Sequence, residues 1–235
     1  MSNAERFLDA FNGIEDELKK HAKSNEYTPF TQLIRRSKSL TPKQRDLLIK
    51  LAELRNVIVH TSRGGRPEAI ADPREDIVRE IELQLDLLVK PPRVLEVLKQ
   101  PPPRVLNSHE SIAVFLEEVA LPNDFSQSPV RMPDGGLSLI TTNAFARWIA
   151  SAYDESGVLI EDAPISAVLE YREPGDAIKL APRTLTAVQA WAEFSGERGV
   201  APTAVAVTET GKFSEMPMAL VVKADVPLLL RALGV

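Results

Sequence analysis

With 235 residues, 44% of them hydrophobic and 26% charged, the chain has the composition of a globular protein, one large domain or two ordinary ones. It contains no cysteine, which excludes disulfides, thiolate metal sites and a cysteine nucleophile and fits a cytoplasmic setting. The net charge of −5 conceals a split: residues 1–66 carry 13 Lys and Arg against 8 Asp and Glu, and the remainder carries 15 against 25.

A basic first quarter is compatible with a polyanionic partner, although scattered charge on helices is more often plain solvated surface. Glu5, Arg6 and Asp9 argue against a secretory leader. No apolar run approaches the roughly 18 residues that span a bilayer.

The first hundred residues read as helical. Phe7, Leu8, Phe11, Ile14 and Leu18 recur at three- and four-residue spacing behind Asn3, a candidate N-cap. A shorter helix is expected over Thr31–Ser39, with Leu33 and Ile34 turned inward. The third helix opens with Thr41 as N-cap and Pro42 at its first position, and carries the stripe Leu47, Leu48, Leu51, Leu54, Ile58. The run Arg63-Gly64-Gly65-Arg66-Pro67 breaks it. Asp72-Pro73 starts a fourth helix with Ile77, Ile81, Leu85 and Leu88 inward, and Pro91-Pro92 ends it.

The third helix closes on Arg55-Asn56-Val57-Ile58-Val59-His60. A histidine titrates near neutral pH and can move a proton from a ribose 2′-hydroxyl. An arginine suits a phosphate that gains charge during cleavage. An asparagine four positions before the histidine shares its helix face. Arg55 and His60 lie about 140° apart around a regular helix, so they converge only through arginine's reach, an unwound last turn or a second subunit.

This Arg-Asn-x3-His pattern resembles the signature of HEPN domains, small helical ribonucleases and nucleotide-binding modules whose site typically forms at a dimer interface. The resemblance spans roughly residues 1–95. It implies a homodimeric, metal-independent endoribonuclease acting on RNA. Arg55, Asn56 and His60 would be catalytic, and the product would be a 2′,3′-cyclic phosphate. The bland alternatives are a capping histidine at a helix C-terminus, an Arg55–Glu53 pair and a plain polar Asn56.

Pro101-Pro102-Pro103 is a stiff spacer, placed in a linker over residues 96–104. After it the texture changes. Val105–Ile112 precedes a helix over Ala113–Val119; a strand follows Asp124–Val130; Asp134-Gly135-Gly136 is a hairpin turn; Leu137–Thr141 is a strand before a helix with Phe145, Trp148 and Ile149. The same order then recurs. Ile178 opens a strand and Thr184-Leu185 a helix with Trp191 and Phe194. Ala204–Val207 is a strand, Glu209-Thr210-Gly211 a turn, Ala219–Val222 a strand and Asp225–Leu230 a helix. Two copies of a unit of roughly 60 residues make an internal repeat, over 105–165 and 166–235.

The repeat resembles a pair of CBS domains, tandem βαββα modules that often bind adenine nucleotides. Phe125–Val130, Asp134-Gly135 and Leu139-Ile140-Thr141 carry the likeness. Thr141 matches the family's ligand threonine, but Ala144 stands where an aspartate is usual. In the second copy Asp225 matches the aspartate, but Val222 replaces the threonine. The implied fold class is α plus α/β, an N-terminal all-α HEPN-like bundle followed by a tandem CBS module. The implied ligand is an adenine nucleotide such as AMP, ADP or ATP, held by Thr141 and Asp225.

Other readings stay open: a non-catalytic nucleotide-responsive adaptor, or a CBS pair that only dimerises. Trp148 and Trp191 are expected in the core, and His21 and His109 at the surface. Arg35, Arg36 and Lys38 read as exposed helix surface or a phosphate contact. No histidine–carboxylate cluster has metal-ligand spacing.

Overall fold

The computed structural model describes residues 1–22, 28–59, 71–123, 125–152, 163–196 and 199–235. The chain forms two compact units, Met1–Pro92 with Arg231–Val235, and Arg93–Leu230.

The first unit is helical: α1 Asn3–Ala22, α2 Phe30–Arg36, α3 Pro42–Ile58 and α4 Glu75–Val89. Its core joins Phe7, Phe11, Ile14 and Leu18 of α1 to Leu33, Ile34, Leu48, Leu51, Ile58, Val78, Ile81 and Leu88. The 3.6-residue period of the apolar residues is therefore met by real burial on all four helices. Thr41 caps α3 as expected: its side chain accepts from the Gln44 N–H, and Gln44 Oε1 accepts from the Thr41 N–H. The Gln44 amide also donates to the Leu233 carbonyl, so the last residues of the chain help satisfy this unit's interior.

Three local expectations are corrected. Asn3 is not the N-cap of α1. Ser2 takes that place, its Oγ accepting the Glu5 N–H while Glu5 Oε2 accepts the Ser2 N–H. Asp72 does not open α4 but caps α1 from outside, with Oδ1 2.8 Å from the Ala4 nitrogen. And α2 stops at Arg36 because Ser37 turns extended and its Oγ accepts the Ser39 N–H, a local bond that competes with the helix. In α4 Ile81 and Leu88 are buried as expected, together with Val78, while Ile77 and Leu85 are only partly buried against the core. The expected break at residues 63–67 lies outside the described residues.

The second unit starts with α5 Val94–Leu98 and then repeats one order twice. The first copy has β1 Leu106–Asn107, a helix of α6 Ile112–Val114, a π-helical stretch Phe115–Ala120 and α7 Leu121–Asn123, then β2 Gln127–Arg131, β3 Leu137–Thr141 and α8 Thr142–Ala152. After α9 Ile165–Leu169, the second copy has β4 Ile178–Pro182, α10 Ala187–Phe194, β5 Ala204–Thr208, β6 Ala219–Val222, a 3-10 turn Lys223–Asp225 and α11 Val226–Ala232. The pairings match between copies. β1 runs parallel to β2, which runs antiparallel to β3; β4 runs parallel to β5, which runs antiparallel to β6. β3 and β5 are buried along their length and β2 at its three central residues; β5 reads as a near-continuous apolar run, whereas β2 and β3 also bury the polar Ser128, Ser138 and Thr141.

α5 and α9 play equivalent parts. Arg93, just before α5, bridges to Thr186, the N-cap of α10, while Pro164, just before α9, bridges to Ser111, the N-cap of α6. The helix that precedes the first repeat thus packs on the second, and the helix between the repeats packs on the first. Sequence order alone conceals this exchange.

α10 begins after Thr186, whose side chain forms a capping box with Gln189, and not at Thr184-Leu185. Trp148 is in the core at 8% exposure, but Trp191 is only half-buried. Gly135 and Gly211 take φ of +82° and +84° in the two equivalent turns, a backbone region that a side chain disfavours.

Candidate functional site

The two residues matched to a ligand motif sit at the same place in the two repeats, where the third strand hands over to its helix. In the first, Thr141 Oγ1 accepts the Ala144 N–H at 3.1 Å and so caps α8. The hydroxyl then donates to Asp176 Oδ2 at 3.3 Å, and that oxygen also accepts the Glu173 N–H at 3.0 Å. In the second, Asp225 Oδ2 accepts the Val222 N–H at 2.9 Å.

These are the two halves of a capping box. A hydroxyl at the N-cap reaches forward to the third residue's N–H, and an acidic side chain at the third residue reaches back to the N-cap N–H. Each repeat has kept one half. The first has the hydroxyl and lacks the carboxylate at Ala144; the second has the carboxylate and lacks the hydroxyl at Val222. Thr141 and Asp225 therefore hold a helix start in place whatever else they do, and both are buried, at 5% and 7% exposure.

Asp225 has one further partner. The Gln100 amide donates to its Oδ1 at 3.0 Å. Gln100 follows Lys99, which ends α5 with φ +50°, the single non-glycine residue with positive φ among those described. Without that turn of the backbone the chain would not place Gln100 after α5 as it does. The composition held no sign of Gln100 or Asp176 as partners, because both lie far from their targets in sequence. No hydrogen bond joins Thr141 to Asp225.

A turn in the second repeat is held by one carboxylate. Glu215 accepts from Thr208 Oγ1 at 2.8 Å, from the Thr210 N–H at 2.7 Å and from Thr210 Oγ1 at 2.5 Å. The Thr210 hydroxyl and N–H, followed by Thr208 and Lys212, outweigh desolvation and hold this carboxyl down to about 2. Arg131, at the end of β2, donates to the Phe213 carbonyl and, at 3.0 Å, to the Glu215 carbonyl. The equivalent turns of the two repeats are tied together through that guanidinium.

In the helical unit, Arg55 lies on the last turn of α3, on the face that buries Leu51 and Ile58. Its Nη1 donates to Asn56 Oδ1 at 3.4 Å, and its guanidinium carbon is 6.0 Å from the Phe11 ring centre, an arrangement worth ~0.5–1 kcal/mol. Nε is buried without a hydrogen-bond partner among the described residues. Asn56 is exposed. The expected alternative, an Arg55–Glu53 pair, does not form. His60 lies outside the described residues, so its relation to Arg55 and Asn56 has no structural account. His21 is exposed, with Nε2 3.6 Å from Glu17, and His109 is exposed as expected.

No protein-family model matches the chain, and no curated protein matches it. Solved structures similar to it include the CBS domain of a CBS domain containing membrane protein from Sphaerobacter thermophilus, at 14% identity and a TM-score of 0.44, covering 66% of this chain and 96% of that one. A CBS domain protein from Streptococcus pneumoniae TIGR4 aligns at 10% identity and a TM-score of 0.38, over 68% of this chain and 93% of that one. CbpB, solved in complex with c-di-AMP, aligns at 10% identity and a TM-score of 0.37, over 60% of this chain and 81% of that one. Among the described residues no helix is long and apolar enough to cross a membrane.

Proposed function

We propose that the chain is a nucleotide-responsive regulatory protein built on a CBS-type pair, with the helical unit as the part it controls and a homodimer as the working form. One observation carries this reading. Two βαββα repeats with identical strand pairing each present a buried polar residue at the same strand-to-helix junction, Thr141 in one and Asp225 in the other. The ligand class is an adenine nucleotide, whose ribose hydroxyls would donate to Asp225 and whose ribose or phosphate would accept from Thr141. Because both side chains already serve as caps, one weak site is expected rather than two strong ones.

The test is a thermal-shift scan of AMP, ADP, ATP and c-di-AMP, repeated on Asp225→Asn. That variant keeps a side-chain oxygen to cap Val222 and removes the charge. A ligand that binds the folded state raises the melting temperature by mass action, and the rise should shrink in the variant. No shift with any of the four at millimolar concentration would leave the pair a structural, dimerising element.

A second reading is favoured by the contact of Arg55 with Asn56 on the last turn of α3. It is the metal-independent endoribonuclease of HEPN type, with His60 as general acid or base and Arg55 stabilising the phosphate. Cleavage of single-stranded RNA in chelator, with matching DNA untouched and with activity lost in His60→Ala, is the expected outcome. Cleavage that survives His60→Ala removes this mechanism.

A further inference from the structure

The helical unit contains a cavity that neither reading uses. It holds about 400 Å³ and lies between the end of α1 and the turn that joins α2 to α3. The buried side chains of Leu18 and Leu33 contribute an apolar wall, and Arg36, Ser37, Lys38 and Ser39 contribute four consecutive polar ones. Among the described residues no acidic residue lines it.

Helix C-termini attract cations, and that is the first explanation to weigh. Each terminus carries roughly half a negative charge. At the end of α1, Lys19 and Lys20 are paired with Glu15 and Glu17. At the end of α2, Arg35 and Arg36 are followed at once by Lys38. Three cations answer about half a charge, and neither Arg36 nor Lys38 has a carboxylate partner among the described residues. Of the three, Arg36 and Lys38 line the cavity, and their two charges exceed the roughly half charge of one helix end by about 1.5 units.

The turn that carries these donors is held in place. Arg45 Nη2 donates to the Ser37 carbonyl at 3.0 Å and pins the turn. Ser37 Oγ accepts the Ser39 N–H at 3.2 Å, which leaves its own proton free to donate. A guanidinium, an ammonium and hydroxyls on one fixed turn match an acceptor with three oxygens and up to two charges.

We propose that this cavity binds the phosphate of a small phosphorylated molecule, with Arg36 and Lys38 holding the phosphate and Leu18 and Leu33 covering the organic part. The volume lies within the ~300–1,000 Å³ usual for small-molecule sites and exceeds what a bare phosphate fills. The site is independent of the paired repeats and of Arg55.

The experiment follows backbone amide shifts of the full chain by NMR while ribose 5-phosphate, inorganic phosphate, ribose and a short RNA are added separately. Saturable shifts at residues 36–39 with ribose 5-phosphate are expected, weaker ones with inorganic phosphate and none with ribose. The double variant Arg36→Ala, Lys38→Ala should lose at least about tenfold in affinity. Both side chains are exposed, so the rest of its spectrum should be unchanged. The proposal is overturned by absence of saturation with ribose 5-phosphate at about 10 mM, by equal affinity in the double variant, by equal binding of ribose, or by binding of the RNA alone.

Discussion

Thr141 and Asp225 show how one residue can answer to two demands. A threonine at a strand end followed by an aspartate three residues on is a ligand motif in one family and a capping box in any helix. The hydrogen bonds show the capping demand being met: Ala144 N–H on Thr141, and Val222 N–H on Asp225. Thr141→Val keeps the shape and removes the acceptor. It should cost about 1 kcal/mol, with a range of ~0.5–2, read as a lower midpoint in denaturant at unchanged slope. A variant as stable as the parent would mean that the cap contributes nothing and that the hydroxyl is kept for another purpose. Lys99 is the opposite case, a residue whose backbone is set by its surroundings against its own preference.

At the scale of elements, the turns between the paired strands differ in what holds them. Asp134-Gly135-Gly136 is closed locally, by Asp134 Oδ1 on the Gly136 N–H and by the Gly135 N–H on Met132. The turn after β5 is longer and is organised around Glu215. The carboxyl of Glu215 sits at about 2 when folded, against an ordinary value of 4.5. A lowered folded value means that its stabilising effect is complete above about 4.5 and disappears as pH falls through about 2. The parent should therefore outlast Glu215→Gln in denaturant at pH 5 and above, and the gap should close towards pH 2. A gap that stays constant over that range would show that the bonds do not depend on the charge. The elements themselves were largely legible: β6 falls on Ala219–Val222 as read, and α3 begins at Pro42. The starts of α1 and α10 differ from the sequence expectation because Ser2 and Thr186, not Asn3 and Thr184, find a partner three residues on.

For the whole molecule, function turns on assembly. Each reading of function calls for a homodimer, since neither Arg55-Asn56 on one helix nor one half of a capping-box pair makes a complete site. Light scattering on the intact chain should give twice the 25.9 kDa of one copy at micromolar concentration. A mass of one copy would remove the homodimer from both readings.

The amino-acid sequence by itself determined the helical first unit, the doubled βαββα order and the exact residues at the two strand-to-helix junctions. Period, capping residues and internal repetition are local properties, and local properties are written in neighbouring letters. The tertiary structure alone decided that α5 serves the second repeat, that Gln100 meets Asp225, that Asp176 meets Thr141 and that Asp72 caps α1. Each of these joins residues far apart in the chain. Their partners are chosen by which polar groups burial leaves unsatisfied, and burial is known only once the chain has folded.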